Sequence, residues 1–201
     1  MGAAQERAPL RDRIIDAALE LLSASGMKKL SQPQVAKAAG IPQGHLTYYF
    51  PKKRDLVMAV ARRAIEVFAR EVSDFLQSGG WPGADAPTRQ RVLALVGFLV
   101  KDRARTRFLL GLLLEGEDDP GLRALLVEHA GLARHLAARA LGQRRHDADP
   151  GADLDVDLML ATLWGLAIQH LLFAGTRPAD VTDQLISRMV RHSESQGGKK
   201  K

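Results

Sequence analysis

From Leu10 to Ser25 the apolar residues Leu10, Ile14, Ala17, Ala18, Leu21 and Leu22 recur at helical spacing. Arg11, Asp12, Asp16 and Glu20 lie mostly on the opposite face. Pro9 suits the first turn of this helix and Gly26 its stop. A second, short helix follows, with Ser31 as N-cap, Pro33 near its start and an apolar stripe of Val35, Ala36 and Ala39 ending at Gly40. Pro42 presets the backbone for a third helix, in which Leu46 and Phe50 lie four apart on the side expected for Ile41, and Pro51 closes it. Two short helices joined by a tight glycine-containing turn, after a longer first helix, form the helix-turn-helix arrangement.

Residues 55–78 then read as a long helix with an apolar side of Leu56, Val57, Ala59, Val60, Ile65, Phe68, Val72, Phe75 and Leu76. Ser78–Pro87, rich in glycine and proline, reads as a loop in which Trp81 is expected to lie on a core edge. Further helices are expected at about 88–101, 104–115, 120–142 and 153–174, with a last one from Val181 to His192. No alternation typical of strands occurs, so the expected fold is all-α. It comprises a helix-turn-helix domain at 1–55, a larger helical domain at 56–195 and a mobile basic tail at 196–201. Residues 153–174 are apolar nearly all round and require burial on more than one side. A single C-terminal domain of about 145 residues could supply it, but a two-fold partner would account for this helix and the next together, through Leu163, Ala167 and Leu171 of the one and Leu185 and Met189 of the other.

Charge changes the picture locally. The 201-residue chain carries a formal net charge of +6, which fits a polyanionic partner without singling one out. Residues 1–55 hold nine Lys/Arg against five Asp/Glu, leaving twenty against eighteen for the rest, three of the twenty being the terminal lysines. Positive charge is thus concentrated at the two ends. The segment Gly40–Leu56, GIPQGHLTYYFPKKRDL, places hydrogen-bonding and aromatic side chains on a short helix directly before Lys52, Lys53 and Arg54. Those are the requirements of a major-groove reader. Gln43 has the paired donor and acceptor that match adenine, and His45 can donate to guanine. Gly44 allows close approach of the backbone to a duplex or to the second helix, and Tyr48 and Tyr49 can stack on sugars. Lys53, at the start of the fourth helix, can meet a phosphate together with free backbone N–H groups. Gln34 and Lys37 are secondary phosphate candidates. Double-stranded DNA is the partner these residues point to.

The absence of cysteine excludes disulfides, thiol nucleophiles and thiolate zinc sites, and points to the cytoplasm. The apolar run Leu158–Ala174 is short for a bilayer and interrupted by Thr162, Gln169 and His170, so no membrane association is expected. No triad, phosphate loop, dinucleotide fingerprint or paired-histidine motif occurs, so neither an enzyme nor a cofactor is expected. The acidic stretch His146–Asp157 lacks the glycine and glutamate spacing of a calcium loop, and no metal is expected. A small-molecule effector would be met by large side chains of the central helices: Phe98, Phe108, Leu112, His135, Trp164, Ile168 and His170.

Ile14, Ala17, Ala18, Leu21, Gly26, Ser31, Val35, Ala36, Ala39, Gly40, Ile41, Gly44, Leu46, Tyr48, Phe50, Lys53 and Leu56 together resemble the DNA-binding domain of the TetR (tetracycline-repressor-like) family over roughly residues 9–58. The resemblance implies a homodimeric one-component transcriptional regulator, usually a repressor. Such a regulator releases its operator when a small molecule enters the C-terminal domain. The family's base-reading positions fall on Gln43, Gly44, His45, Thr47, Tyr48 and Tyr49, and its phosphate-binding lysine on Lys53. Thr47 and Pro42 depart from the residues members often carry. An adaptor that keeps the DNA module but has no effector is the other reading, and ligand dependence separates the two.

Overall fold

A computed structural model of the chain describes residues 9–26, 30–143 and 150–197, the side chains of 150–152 and 188–197 excepted. Among the described residues there are nine helices and no strand. They are α1 (Leu10–Ser25), α2 (Gln32–Ala38), α3 (Gln43–Tyr49), α4 (Lys53–Gln77), α5 (Thr88–Val100), α6 (Arg103–Gly116), α7 (Pro120–Leu141), α8 (Pro150–Leu172) and α9 (Pro178–Gly197).

Proline, rather than a side-chain cap, marks most helix starts. Pro9, Pro42 and Pro87 are the N-cap residues of α1, α3 and α5, and α7, α8 and α9 open on Pro120, Pro150 and Pro178. A ring-locked φ and a missing N–H cost nothing in the first turn. This moves two boundaries: α8 and α9 each begin three residues before the expected Asp153 and Val181. α9 also runs on to Gly197, so the expected tail loses its first two residues, and the remainder, 198–201, lies outside the described residues.

The chain divides into two compact units, Met1–Val72 with Arg107–His129, and Ser73–Thr106 with Ala130–Lys201. The division differs from the one at residue 55 because α4 has no core separate from α1–α3. In the first unit Ile14, Ala18 and Leu22 of α1, Val35 of α2, Leu46 of α3 and Leu56 and Val60 of α4 share one cluster with Phe108 and Leu112 of α6 and Leu122 and Leu125 of α7. Arg63 of α4 links the same elements at the surface. Its Nε donates to Asp16 of α1 at 2.9 Å, and that bond raises its pKa above the usual value.

In the second unit α5 packs on α8 and α9; Val92, Leu95, Val96 and Val100 of α5 and Val156, Leu163, Leu166 and Ala167 of α8 are all buried. Phe75 stacks on Phe98 at 4.3 Å between ring centroids and meets Trp81 edge-on at 6.0 Å. Trp81, only 7% exposed, lies beneath the Arg139 guanidinium. Arg91, 8% exposed, is the staple of this unit. Its guanidinium donates to the carbonyls of Ala140 at 3.0 Å, Ala84 at 2.5 Å and Ala86 at 2.9 Å, and to Thr88 Oγ1 at 2.9 Å. One buried cation thereby fixes the 78–87 loop and the end of α7. Replacing it leaves three carbonyls of a largely buried site without a donor. Arg91→Met is expected to lower the unfolding free energy by about 2–4 kcal/mol, read from urea midpoints.

Candidate nucleic-acid interface

The turn between α2 and α3 is built by the end of α2 itself. Gly40 takes φ +66°, its N–H donates to the Lys37 carbonyl at 3.2 Å, and the Ile41 N–H reaches back to the Ala36 carbonyl at 3.0 Å. This double bond with a left-handed residue is the Schellman arrangement, and only glycine adopts that φ without strain. Pro42 then starts α3, whose inward residues Leu46 and Phe50 are 0% and 2% exposed. Gln32 Nε2 donates to the Phe50 carbonyl at 2.6 Å, tying the beginning of α2 to the end of α3. Seven residues are too few for a stable isolated helix, so α3 is held by this burial and this bond.

Its outer surface carries Gln43, Gly44, His45, Thr47, Tyr48 and Tyr49, all exposed. Tyr48 is 81% exposed and Tyr49 38%, and their rings meet edge-to-face at 5.3 Å. Thr47 is turned to its own helix, its hydroxyl donating to the Gln43 carbonyl at 3.0 Å. A Cβ added at Gly44 would meet nothing within 4 Å. Close packing of α2 on α3 therefore does not require glycine there. On α2, Lys37 and Gln34 are exposed, and the Gln34 Oε1 accepts from the Ser31 hydroxyl at 3.1 Å. Ser31 is thus an N-cap by position whose hydroxyl serves a side chain instead of the backbone.

Lys53 is the first residue of α4. Asp55 accepts from the Lys52 N–H at 3.2 Å while the Lys52 carbonyl accepts from Asp55 and Leu56, which locks the helix start. Lys53 Nζ lies 3.2 Å from Glu115 Oε1 at the end of α6, and Arg54 pairs with Asp119 just before α7. The Leu122 N–H, then the Arg54 guanidinium and the Gly121 N–H, hold the Asp119 carboxyl below the usual carboxylate range, with desolvation acting the other way. Arg54, Glu115 and Asp119 were missed in the sequence. The acid-rich run 115–119 reads there only as a helix break, and its pairing with α4 spans more than sixty positions.

The expected effector residues fall in both units. Phe108 and Leu112 fill the core of the first unit, 6% and 1% exposed, because α6 turns that face toward α1 and α4. Phe98 is committed to Phe75 in the second unit. Trp164 is 36% exposed, Ile168 and His170 are half-buried, and His135 is exposed. His135 lines a cleft of about 650 Å³ with Asp85, Arg134, Arg139 and Asp153. Of the acidic stretch 146–157, residues 146–149 lie outside the described residues, while Arg134 pairs with Asp153 and Asp157.

Of the expected interface residues on α8, Leu163 and Ala167 are 4% and 8% exposed and Leu171 is half-buried. The open face of α8 carries Leu154, Leu158, Trp164 and Leu172 instead, 70%, 50%, 36% and 65% exposed. Residue 164 differs from 163 by about 100° around the helix, enough to exchange the two faces. Leu185 is half-buried, and the side chain of Met189 lies outside the described residues. No helix among the described residues is long and apolar enough to cross a membrane.

A Schellman-turned helix pair, with a seven-residue second helix polar on its outer side and a lysine opening the next helix, defines a helix-turn-helix DNA-binding regulator. Residues 14–60 match the family described as bacterial regulatory proteins, tetR family, and residues 88–192 match the tetracyclin repressor-like C-terminal domain. The chain belongs to the TetR family, whose members are transcriptional regulators and not enzymes. The HTH-type transcriptional regulator SrpR of Pseudomonas putida is 25% identical over 184 residues, covering 91% of this chain and 83% of that one. The multidrug binding protein EbrR, solved with ethidium, is 29% identical with a TM-score of 0.65, covering 90% of this chain and 98% of that one. A transcriptional regulator from Rhodococcus sp. Rha1, at 18% identity and a TM-score of 0.72 over 90% and 96% of the two chains, shares the fold.

Gly44→Ala separates folding from reading. Melting is expected to stay unchanged or rise, by up to about 1 kcal/mol, since alanine favours a helix over glycine. Affinity for a bound duplex, measured by fluorescence anisotropy, is expected to fall about tenfold or more as the added methyl displaces α3 from the groove.

Proposed function

We propose that the chain is a ligand-responsive repressor, acting in the cytoplasm as a homodimer on a palindromic operator. The observation that carries the DNA part is α3 itself: its apolar side is locked in the core while Gln43, Gly44, His45, Thr47, Tyr48 and Tyr49 face outward beside Lys53. In this reading Gln43 and His45 touch base edges, Tyr48 and Tyr49 touch the sugar-phosphate backbone, and Lys53 takes a phosphate with Gln34 and Lys37 in support. Footprinting upstream of the chain's own coding region is expected to show protection with two-fold symmetry, its halves about 34 Å apart or a multiple of that. An asymmetric footprint sinks the dimeric reading.

The dimer reading rests on α8. Leu154, Leu158, Trp164 and Leu172 form an open apolar stripe, and Val181 of α9 is also exposed, at 47%. A patch of this kind calls for a partner surface, and a second copy through a two-fold axis supplies an identical one. Each copy would contribute α8 and α9 to a four-helix contact. Leu158→Glu is expected to give a monomer in the ultracentrifuge at micromolar concentration and to weaken operator binding about a hundredfold or more, as each half-site is then read alone.

An effector is supported by the relatives: EbrR is solved with ethidium, proflavin and malachite green, and a regulator from Saccharomonospora viridis with choline. In this chain the effector would enter the second unit, with His135, Trp164, Ile168 and His170 as the remaining candidates to meet it. It acts only by binding the DNA-free state more tightly than the DNA-bound one.

A further inference from the structure

Two cations open α4, and each faces a carboxylate of the corner between α6 and α7. They are held differently. Arg54 Nε donates to Asp119 Oδ2 at 2.6 Å and Nη2 to Oδ1 at 2.8 Å, a bidentate grip. Asp119 Oδ1 also accepts from the N–H groups of Gly121 and Leu122 at 3.0 and 3.1 Å. Its side chain is only 13% exposed, so Asp119 caps α7 and anchors the first turn of α4 at once. Lys53 has a single 3.2 Å contact with Glu115, and the two side chains are 50% and 40% exposed. An anchored arginine and a loosely tethered lysine stand side by side.

The position of Glu115 is not free to drift. Gly116, the next residue, is buried, and a Cβ there would come within 3.2 Å of Leu126 Cδ1. Leu112 of the same helix is 1% exposed in the core that also holds Leu56. Glu115 is followed by Glu117, Asp118 and Asp119, and of these Glu115 and Asp119 meet the start of α4.

We propose that Glu115 is a positioning residue for DNA binding: its carboxylate occupies the Lys53 ammonium in the free protein and competes with a backbone phosphate for it. This deepens, and rests on, the reading of Lys53 as a phosphate contact. Asp119 sets the point on α4 from which Lys53 reaches out, and Glu115 sets how available the ammonium is there. A half-exposed pair of this kind is weak, so phosphate displaces the carboxylate at a small cost, and the affinity is trimmed rather than abolished. Once displaced, the carboxylate remains within a Debye length of the phosphate and repels it, so the trimming is stronger at low salt.

The test uses the full chain, a duplex spanning the region upstream of its own coding sequence, an unrelated duplex of equal length, and potassium chloride from 50 to 200 mM. Glu115→Gln is expected to tighten binding to both duplexes by about two- to fivefold, the range a surface pair supports. Glu117→Gln, which removes the same charge two residues on but not the partner of Lys53, is expected to give less than half of that gain. In a Lys53→Ala background the gain from Glu115→Gln is expected to fall to the Glu117→Gln level. Unchanged affinity for Glu115→Gln, an equal gain for both glutamate variants, or a gain undiminished without Lys53 overturns the proposal. The reading of Lys53 is judged separately: Lys53→Ala is expected to weaken both duplexes alike and lower the salt slope by about one. If Lys53→Ala moves neither affinity nor slope, the phosphate contact and the proposal fall together. If it moves both while Glu115→Gln moves nothing, only the proposal falls.

Discussion

Burial of Leu46 and Phe50 is the constraint on which the DNA-reading surface depends. α3 is seven residues long and has no side-chain cap, so nothing within it can hold a helix in water. Its geometry is borrowed from the cluster that Leu46 shares with Ile14, Val35, Leu56, Leu112 and Leu122. Each polar group on the outer side is therefore aimed by an apolar group on the inner side. The same cluster joins α4 to α6 and α7, so Lys53, Glu115 and Asp119 are placed by the packing that places α3.

The chain divides its cations by chemistry. Several arginines bridge elements: Arg63 reaches α1, Arg54 the α6–α7 corner, Arg91 the 78–87 loop and Arg89 Asp183 of α9. A planar guanidinium with five donors can satisfy several fixed acceptors together, as Arg91 does with four. The lysines near α3 are treated otherwise: Lys37 and Lys52 are exposed and Lys53 has one light contact. A compact ammonium on a flexible stem suits a phosphate whose position is fixed only on encounter.

Much of this was legible in the residue order. Helical spacing of Ile14, Ala18 and Leu22, the glycine at position 40 and the Leu46–Phe50 pair located α1, α2, the turn and α3, because local periodicity and turn chemistry are written in neighbouring residues. Proline marks helix starts that the apolar stripe does not: Pro150 and Pro178 open α8 and α9 about a turn before the stripe begins. Three matters are out of reach for a physical reason. Which side of α8 is inward cannot be read from a helix that is apolar nearly all round, and Leu163 and Ala167 lie on its buried side. Phe108 and Leu112 were assigned to a pocket because large apolar residues on a central helix look alike whether they fill a core or line a cavity. The pairing of Lys53 and Arg54 with residues 115 and 119 depends on tertiary placement alone.

The open leucines of α8 have a consequence beyond where two copies meet. A chain leaving Leu154, Leu158 and Leu172 half or more exposed gains stability whenever something covers them, and the covering obeys mass action. If a second copy does so, folding and assembly become one equilibrium, and dilution acts on the chain as a denaturant does. Copy number then becomes an input in its own right: a cell holding few molecules has weaker ones, and one holding many has sturdier ones, before any signal arrives.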